Sequence, residues 1–142
     1  MYLPKQKLPR GIRNNNPLNI RKGNNWKGER PNQTDPAFEE FESMQMGLRA
    51  AFILLRNYIT GYGGKRQPCN TIEKIVSRWA PEVENATRNY IQFVSDYTQV
   101  HEREIIDFSN RARMVEIVRA MAFVENGMWI DTNVIQSAYD LV

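Results

Sequence analysis

The longest helical pattern in the chain follows Ser43. Apolar residues recur there at alternating steps of four and three, at Met44, Leu48, Ala51, Leu55 and Tyr58. That spacing places them on one face of an α-helix, and a serine is a typical N-cap because its hydroxyl accepts a hydrogen bond from a free backbone amide. The glycines after Thr60 let the backbone leave the helix. We therefore predict a helix that is capped by Ser43 and ends within residues 61–64.

Four further stretches show a similar period. Asn70 and Glu73 resemble a capping box that opens a helix, and Pro81 must stop that helix because proline donates no backbone hydrogen bond. The next helix is predicted over residues 87–100. Asn110 begins another, which ends at residues 126–127, and Asp131 caps the last one. The pattern predicts about five helices in all.

The first 42 residues have no sustained helical period. They are rich in Pro, Gly and Asn, which is typical of loops. Residues 18–21 and 37–41 are predicted to pair as a small β-ribbon. With 142 residues the chain has the length of one domain. We expect a mainly α domain over 1–142, with a loop and ribbon region at 1–42 and a helical region at 43–142.

Composition excludes several classes of protein. No apolar run approaches the ~18 residues of a membrane-spanning helix, and the amino terminus lacks the apolar core of a signal peptide. Cys69 is the only cysteine and His101 the only histidine, so one chain can form neither a disulfide framework nor a Cys/His zinc site. We expect no metal, no cofactor and no membrane insertion, and chemistry that rests on carboxylates, amides, hydroxyls and aromatic rings.

The net charge of +3 is unevenly distributed. Residues 1–34 carry eight basic side chains and one acidic one, a net charge of +7, so the remainder carries −4. Such a segment can bind an anionic polymer, but a solvated basic surface is more common. Nucleic acid is a poor candidate partner because the segment contains no helix that could enter a groove.

Glu125 differs from the other acidic residues in its position. It continues the apolar stripe of its helix, four residues beyond Met121 and near the helix end. Partial burial and the negative end of the helix dipole both disfavour the carboxylate, which predicts a raised pKa. Such a group can protonate a glycosidic oxygen. Glu116, on the same helix, is predicted on the exposed face instead. The alternative for Glu125 is that it merely ends the helix and turns to solvent.

Three segments resemble bacterial and phage cell-wall hydrolases with lysozyme-like folds, the group of muramidases, lytic transglycosylases and glucosaminidases. Residues 10–21, RGIRNNNPLNIR, followed by Trp26 and Gly28, are similar to the Asn-Asn-Pro-Gly-Asn-Ile motif of phage-borne members, with Leu18 in place of the usual glycine. Residues 38–50 are similar to the aromatic-Ser-helix pattern of glucosaminidases. Residues 120–127 resemble the Glu-x-Gly helix ending that carries the catalytic acid, and residues 75–90 also look like a shared element.

The resemblance implies a lysozyme-like α+β domain with Glu125 as catalytic acid. In most relatives the glutamate precedes the Asn-rich segment, so the order here implies a circular permutation, which is tolerated when the termini are neighbours. Substrate contacts are expected from Asn15, Asn16 and Asn19 through their amides, and from Trp26 or Tyr90 by stacking on a sugar. Loop structure for the asparagines and core packing for Trp26 stay open as alternatives.

The resemblance predicts a glycosidase or lytic transglycosylase that cleaves peptidoglycan glycan strands. A hydrolase needs a second carboxylate, and the candidates form a cluster of Asp35, Glu39, Glu40 and Glu42, of which Glu40 and Glu42 are expected on one strand face. A transglycosylase needs only the single acid. The alternative is a non-catalytic phage structural or wall-binding protein, with virion components as partners. Without a signal peptide, we expect synthesis in the bacterial cytoplasm and release to the wall through a phage or a secretion machine.

Overall fold

The computed structural model describes residues 7–81 and 84–142, which form a mainly helical structure as predicted. The predicted region 1–42 therefore includes residues 1–6 that lie outside the described residues. The described helices, in chain order, are α1 (Arg10–Arg13), α2 (Met44–Gly64), α3 (Ile72–Trp79), α4 (Glu84–Thr98), α5 (Arg111–Asn126) and α6 (Thr132–Tyr139).

The capping residues determine where most of these helices begin. The predicted caps at Ser43, Asn110 and Asp131 are confirmed, since the side chain of each accepts a hydrogen bond from a backbone amide two or three residues further on. The predicted cap at Asn70 is wrong by one residue. The hydroxyl of Thr71 caps α3 by accepting from Lys74, while the carbonyl of Asn70 accepts from the amide of Ile106.

The other helices differ from the predicted pattern at two places. α4 spans residues 84–98 rather than 87–100. The end of α2 within residues 61–64 agrees with the prediction, and its backbone is left-handed at Gly61, Tyr62 and Gly63. α1 was not predicted because a single turn is too short to show a helical period.

The predicted β-ribbon is reduced to two isolated bridges in the described residues. Arg21 pairs with Phe38, and Glu29 pairs with Phe41, both antiparallel. The amide of Lys22 donates to the carbonyl of Ala37 at 3.0 Å and extends the first contact. These pairings hold residues 20–30 against residues 37–42, without a strand of two or more paired residues.

Packing joins the two regions through one cluster of buried apolar residues that extends from Leu18 to Ala138. α2 packs mainly on α6, and α4 mainly on α5. Ala50 and Ala51 are fully buried on α2, where small side chains permit close helix packing. Among the described helices, none is both long enough and apolar enough to cross a membrane.

Candidate active site

The loop of residues 14–20, which we call the Asn loop, is held by its own asparagine side chains. Asn16 is fully buried. Its amide nitrogen donates to the carbonyls of Ile20 and Glu39 at 2.9 and 3.0 Å, and its amide oxygen accepts from the amide of Ile20. Asn15 and Asn19 both have φ of 53°, a left-handed conformation that asparagine tolerates better than most residues. The Asn loop is therefore fixed independently of any ligand.

Two glycines let other backbone segments approach this loop. A Cβ at Gly47 in α2 would overlap the backbone carbonyl of Asn15, and a Cβ at Gly11 in α1 would overlap the side-chain oxygen of Asn126. Because neither glycine has a positive φ, the requirement at both positions is space. The start of α2 and the short helix α1 thus pack directly against the Asn loop and the end of α5.

The end of α5 is tied to the Asn loop by two side chains. Gly127 closes the helix in a left-handed conformation, with its amide bonded to Phe123. The side-chain amide of Asn126 donates to the carbonyl of Pro17 at 2.7 Å. Next to it, the side-chain amide of Asn19 donates to Oε1 of Glu125 at 2.9 Å. Glu125 is half-buried, so its carboxyl group lies between the helix and the loop.

Tyr90 of α4 lies beneath Glu125. The tyrosine is only 5% exposed, and its hydroxyl is 3.5 Å from the carbonyl of Met121. Burial raises the pKa of Tyr90 well above its usual value, and the neighbouring Glu125 raises it further. The phenol therefore stays neutral and can donate to the carboxyl group. Its ring is too deeply buried to stack on a sugar, so the predicted stacking role does not fit its position.

A cavity of about 210 Å³ opens at Glu125. We call it the acid cavity, and its lining residues are Leu18, Asn19, Arg21, Phe38, Trp79, Ala80 and Glu125. The indole of Trp79 donates to the carbonyl of Leu18 at 2.9 Å and joins α3 to the Asn loop. The guanidinium of Arg21 lies 4.9 Å from the centre of the Phe38 ring. The cavity thus combines one carboxyl group with an amide, a cation and two aromatic rings.

The candidate second carboxylates lie elsewhere. Glu40 is buried and accepts from Thr34, from the amide of Asp35 and from Arg30, which makes it a structural anchor of the 30–40 segment. Glu42 is exposed. Neither residue lines the acid cavity, and among its described lining residues Glu125 is the only one with a carboxyl group.

Asp35 and Glu39, also on this segment, have opposite environments. Asp35 pairs with Arg10 at 2.5 Å, and this bond with Arg10 holds the pKa of Asp35 well below its usual range. Glu39 is 3% exposed, and its Oε2 has no hydrogen-bond partner among the described residues. Burial, together with neighbouring Glu29, raises the pKa of Glu39 to about 7.

The structure sorts the other predicted contact residues by position. The side-chain amide of Asn15 donates a hydrogen bond to the carbonyl of Phe41 at 3.1 Å. The side chain of Asn16 is fully hydrogen-bonded to the backbone of Ile20 and Glu39. Neither residue lines the acid cavity. Trp26 packs on the core, as its alternative interpretation proposed. Asn19 alone of the predicted contacts lines the cavity with Glu125.

Sequence reasoning did not select Arg21 or Trp79 as site residues. Both lay within segments already noted for their resemblance to cell-wall hydrolases, but only the long-range packing of α3 on the Asn loop brings them to Glu125. Over residues 7–81 and 84–142, no three side chains of the usual metal-binding types are grouped closely enough to hold an ion. The chemistry of the cavity is that of a single acid beside polar and aromatic groups.

Comparison with known proteins identifies one relative. No protein-family model matches the chain. Protein P5 of Pseudoalteromonas phage PM2 is 42% identical to it over 122 residues, which cover 83% of this chain and 71% of P5. This degree of identity over most of both sequences shows that the chain belongs to the family of phage PM2 Protein P5.

Proposed function

We propose that the chain is a peptidoglycan-cleaving glycosidase of the lytic transglycosylase type, with Glu125 as its general acid. The observation that carries the proposal is the 2.9 Å hydrogen bond between Asn19 and Glu125 at the acid cavity. This bond joins the Asn-rich segment to the Glu-x-Gly helix ending, the two segments from which substrate contacts and the catalytic acid are expected. Asn19 and Glu125 are 106 residues apart in the chain.

The proposed reaction begins with proton transfer. A glycan strand lies in the acid cavity with its glycosidic oxygen at Glu125, which donates a proton as the bond to the anomeric carbon breaks. A hydroxyl group of the same sugar then attacks the anomeric carbon and closes an anhydro ring. The carboxylate of Glu125 takes up the proton of that hydroxyl, so the acid is restored.

The single carboxyl group favours transglycosylation over hydrolysis. Hydrolases of the usual kind place two carboxyl groups about 5 to 10 Å apart across the scissile bond. Glu40 is engaged with Arg30, Thr34 and Asp35, and Glu42 is exposed to solvent. A mechanism in which the sugar supplies its own nucleophile needs only the acid that lines the cavity.

A lysozyme-like arrangement is part of the same proposal. In this proposal the bridges Arg21 to Phe38 and Glu29 to Phe41 correspond to the small β-ribbon that forms one wall of the cleft in that fold, and α5 supplies the acid from its carboxyl end. The order of the two segments along the chain would then be that of a circularly permuted relative.

The relationship to a phage protein suggests how the chain reaches its substrate. We propose that it is made in the host cytoplasm and reaches the wall through a phage particle or another release system. A protein that keeps this arrangement without turnover would serve as a wall-binding or virion component, and the test below separates the two.

The test is digestion of purified sacculi, with the products weighed by mass spectrometry. We expect the unmutated protein to release muropeptides that are lighter by one water than hydrolysis products, because an anhydro ring forms. Glu125→Gln should abolish release, while Glu116→Gln, at an exposed position of the same helix, should not. Release that is unchanged in Glu125→Gln would refute the mechanism, and binding without release by the unmutated protein would favour the non-catalytic role.

A further inference from the structure

A second cavity lies next to the acid cavity. This cavity, which we call the arginine cavity, has a volume of about 370 Å³ and shares Asn19, Arg21 and Trp79 with the acid cavity. Its remaining lining residues are Ile20, Asn24, Leu54, Tyr58, Arg78 and Pro81. Because three lining residues are common to both, the two cavities adjoin, and we refer to them together as the groove.

The arginine cavity has basic side chains in its lining. Arg21 and Arg78 both line it, and none of its described lining residues is acidic. A guanidinium group such as that of Arg78, next to low-dielectric aromatic walls, attracts anions. The ligand that extends from the acid cavity into this part of the groove should therefore carry a negative charge there.

Arg78 is in a different setting from the arginines that stabilise the fold. Arg10, Arg30, Arg88, Arg103, Arg111 and Arg113 each form an ion pair with a carboxylate. The guanidinium of Arg78 instead lies 4.6 Å from the centre of the Tyr58 ring and 5.7 Å from that of Tyr62. It also donates to the sulfur of Cys69 at 3.9 Å.

This setting positions a guanidinium group without neutralising it. Stacking on Tyr58 uses the faces of the guanidinium plane, whereas carboxylates bind in the plane, at the N–H groups along its edge. The ring of Tyr58 is itself held at 5.7 Å from Trp79 in an edge-to-face contact, so the aromatic support is continuous with the wall shared by both cavities. Arg78 is exposed, and its charge can reach a ligand in the groove.

We infer that the arginine cavity binds a carboxylate substituent of the glycan strand whose glycosidic bond lies at Glu125. This inference rests on the proposed function and adds a basis for selecting the substrate. In peptidoglycan every second sugar carries a lactyl group that is either a free acid or extended by a peptide ending in carboxylates. A neutral polymer of N-acetylglucosamine offers the same ring and amide groups without that charge.

The test measures binding rather than turnover, in the Glu125→Gln background so that the probes remain intact. The probes are a muropeptide tetrasaccharide with free carboxylates, the same compound with its carboxyl groups amidated, and chitotetraose. We expect the carboxylate form to bind about tenfold more tightly than either probe without carboxylates, the size of one charged hydrogen bond. This preference should weaken as salt is added.

Substitutions then test whether Arg78 causes the preference for the carboxylate probe. Arg78→Gln should remove most of it, Arg78→Lys should retain part, and Arg56→Gln, at an exposed α2 position that lines neither cavity, should leave it intact. Thermal melting shows whether each variant is folded. The amidation comparison uses the natural Arg78, so it holds even if an Arg78 variant does not fold.

The outcomes separate the two proposals. Equal binding of the carboxylate and amidated probes, or a preference retained in a folded Arg78→Gln protein, would overturn the inference and leave the glycosidase proposal standing. A charge preference in a protein that releases no product from sacculi would support the inference and refute only the catalytic proposal. Failure to bind any of the three probes would overturn the inference.

Discussion

The side-chain amide of Asn19 donates a 2.9 Å hydrogen bond to Glu125, and both residues line the same cavity. Asn19 reaches this position with a left-handed backbone, which aims its side chain across the loop toward α5. Its amide oxygen is buried without a hydrogen-bond partner among the described residues. The hydrogen bond from the amide nitrogen of Asn19 to Glu125 therefore orients the proposed acid.

Asn19→Gly should lower the rate of glycan cleavage while the protein remains folded. Glycine accepts the φ of 53°, so the substitution removes the amide without adding backbone strain. Loss of the hydrogen bond that orients the neutral acid predicts a rate about tenfold lower. Release of soluble muropeptides from sacculi measures it.

Asn15→Gly is the matched control because Asn15 has the same φ and its amide contacts Phe41 outside the cavity. If both variants cleave at the rate of the unmutated protein, Asn19 does not position Glu125.

Glu39→Gln should change how stability depends on pH. The pKa of Glu39 is raised from 4.5 to about 7 by burial and by Glu29, so the folded state holds the proton more tightly than the unfolded state. The stability that this gives is complete below pH 4.5 and is lost as pH rises through about 7. Because glutamine does not ionise, the variant should be more stable than the unmutated protein at pH 8 by about 3 kcal/mol.

Urea unfolding at pH 4 and pH 8 provides the measurement, and Glu42→Gln is the exposed control. At pH 4 the gain of the Glu39 variant over the unmutated protein should vanish. A difference between these two proteins that is the same at both pH values would show that Glu39 does not titrate in this range.

Gly47→Ala should destabilise the fold more than Gly127→Ala. The added methyl group at Gly47 would overlap the carbonyl of Asn15, whereas nothing lies within 4 Å of the corresponding position at Gly127. We expect a loss of about 2 to 4 kcal/mol at Gly47 from overpacking. At Gly127 the loss should be about 1 kcal/mol, from the left-handed backbone alone. Equal unfolding free energies for the two variants would contradict the close approach.

Local chemistry made most of the fold predictable. Ser43, Asn110 and Asp131 cap their helices, and Gly127 ends α5, because each acts on a backbone only a few residues away. Thr71 was missed in favour of Asn70 because both side chains can cap and only the tertiary contact of Asn70 with Ile106 decides between them.

The candidate site was less predictable because it depends on long-range contacts. The apolar stripe of α5 indicated the half-buried position of Glu125 from sequence alone. The positions of Trp79 and Arg21 beside it follow from the packing of α3 on the Asn loop. The asparagines of the Asn loop look alike in the sequence, but loop geometry gives them different roles. Asn15 and Asn16 bond to the backbone, whereas Asn19 bonds to Glu125 at the cavity.

Leu18 stands where the resembling motif has glycine, and its side chain is fully buried in the hydrophobic core. Its backbone does not adopt a positive φ, and its carbonyl binds the indole of Trp79. Glycine is thus dispensable at this point, since an apolar side chain can anchor the loop from within. Motif definitions that demand the glycine will overlook proteins built in this way, whereas definitions based on Asn16 and Asn19 will retain them.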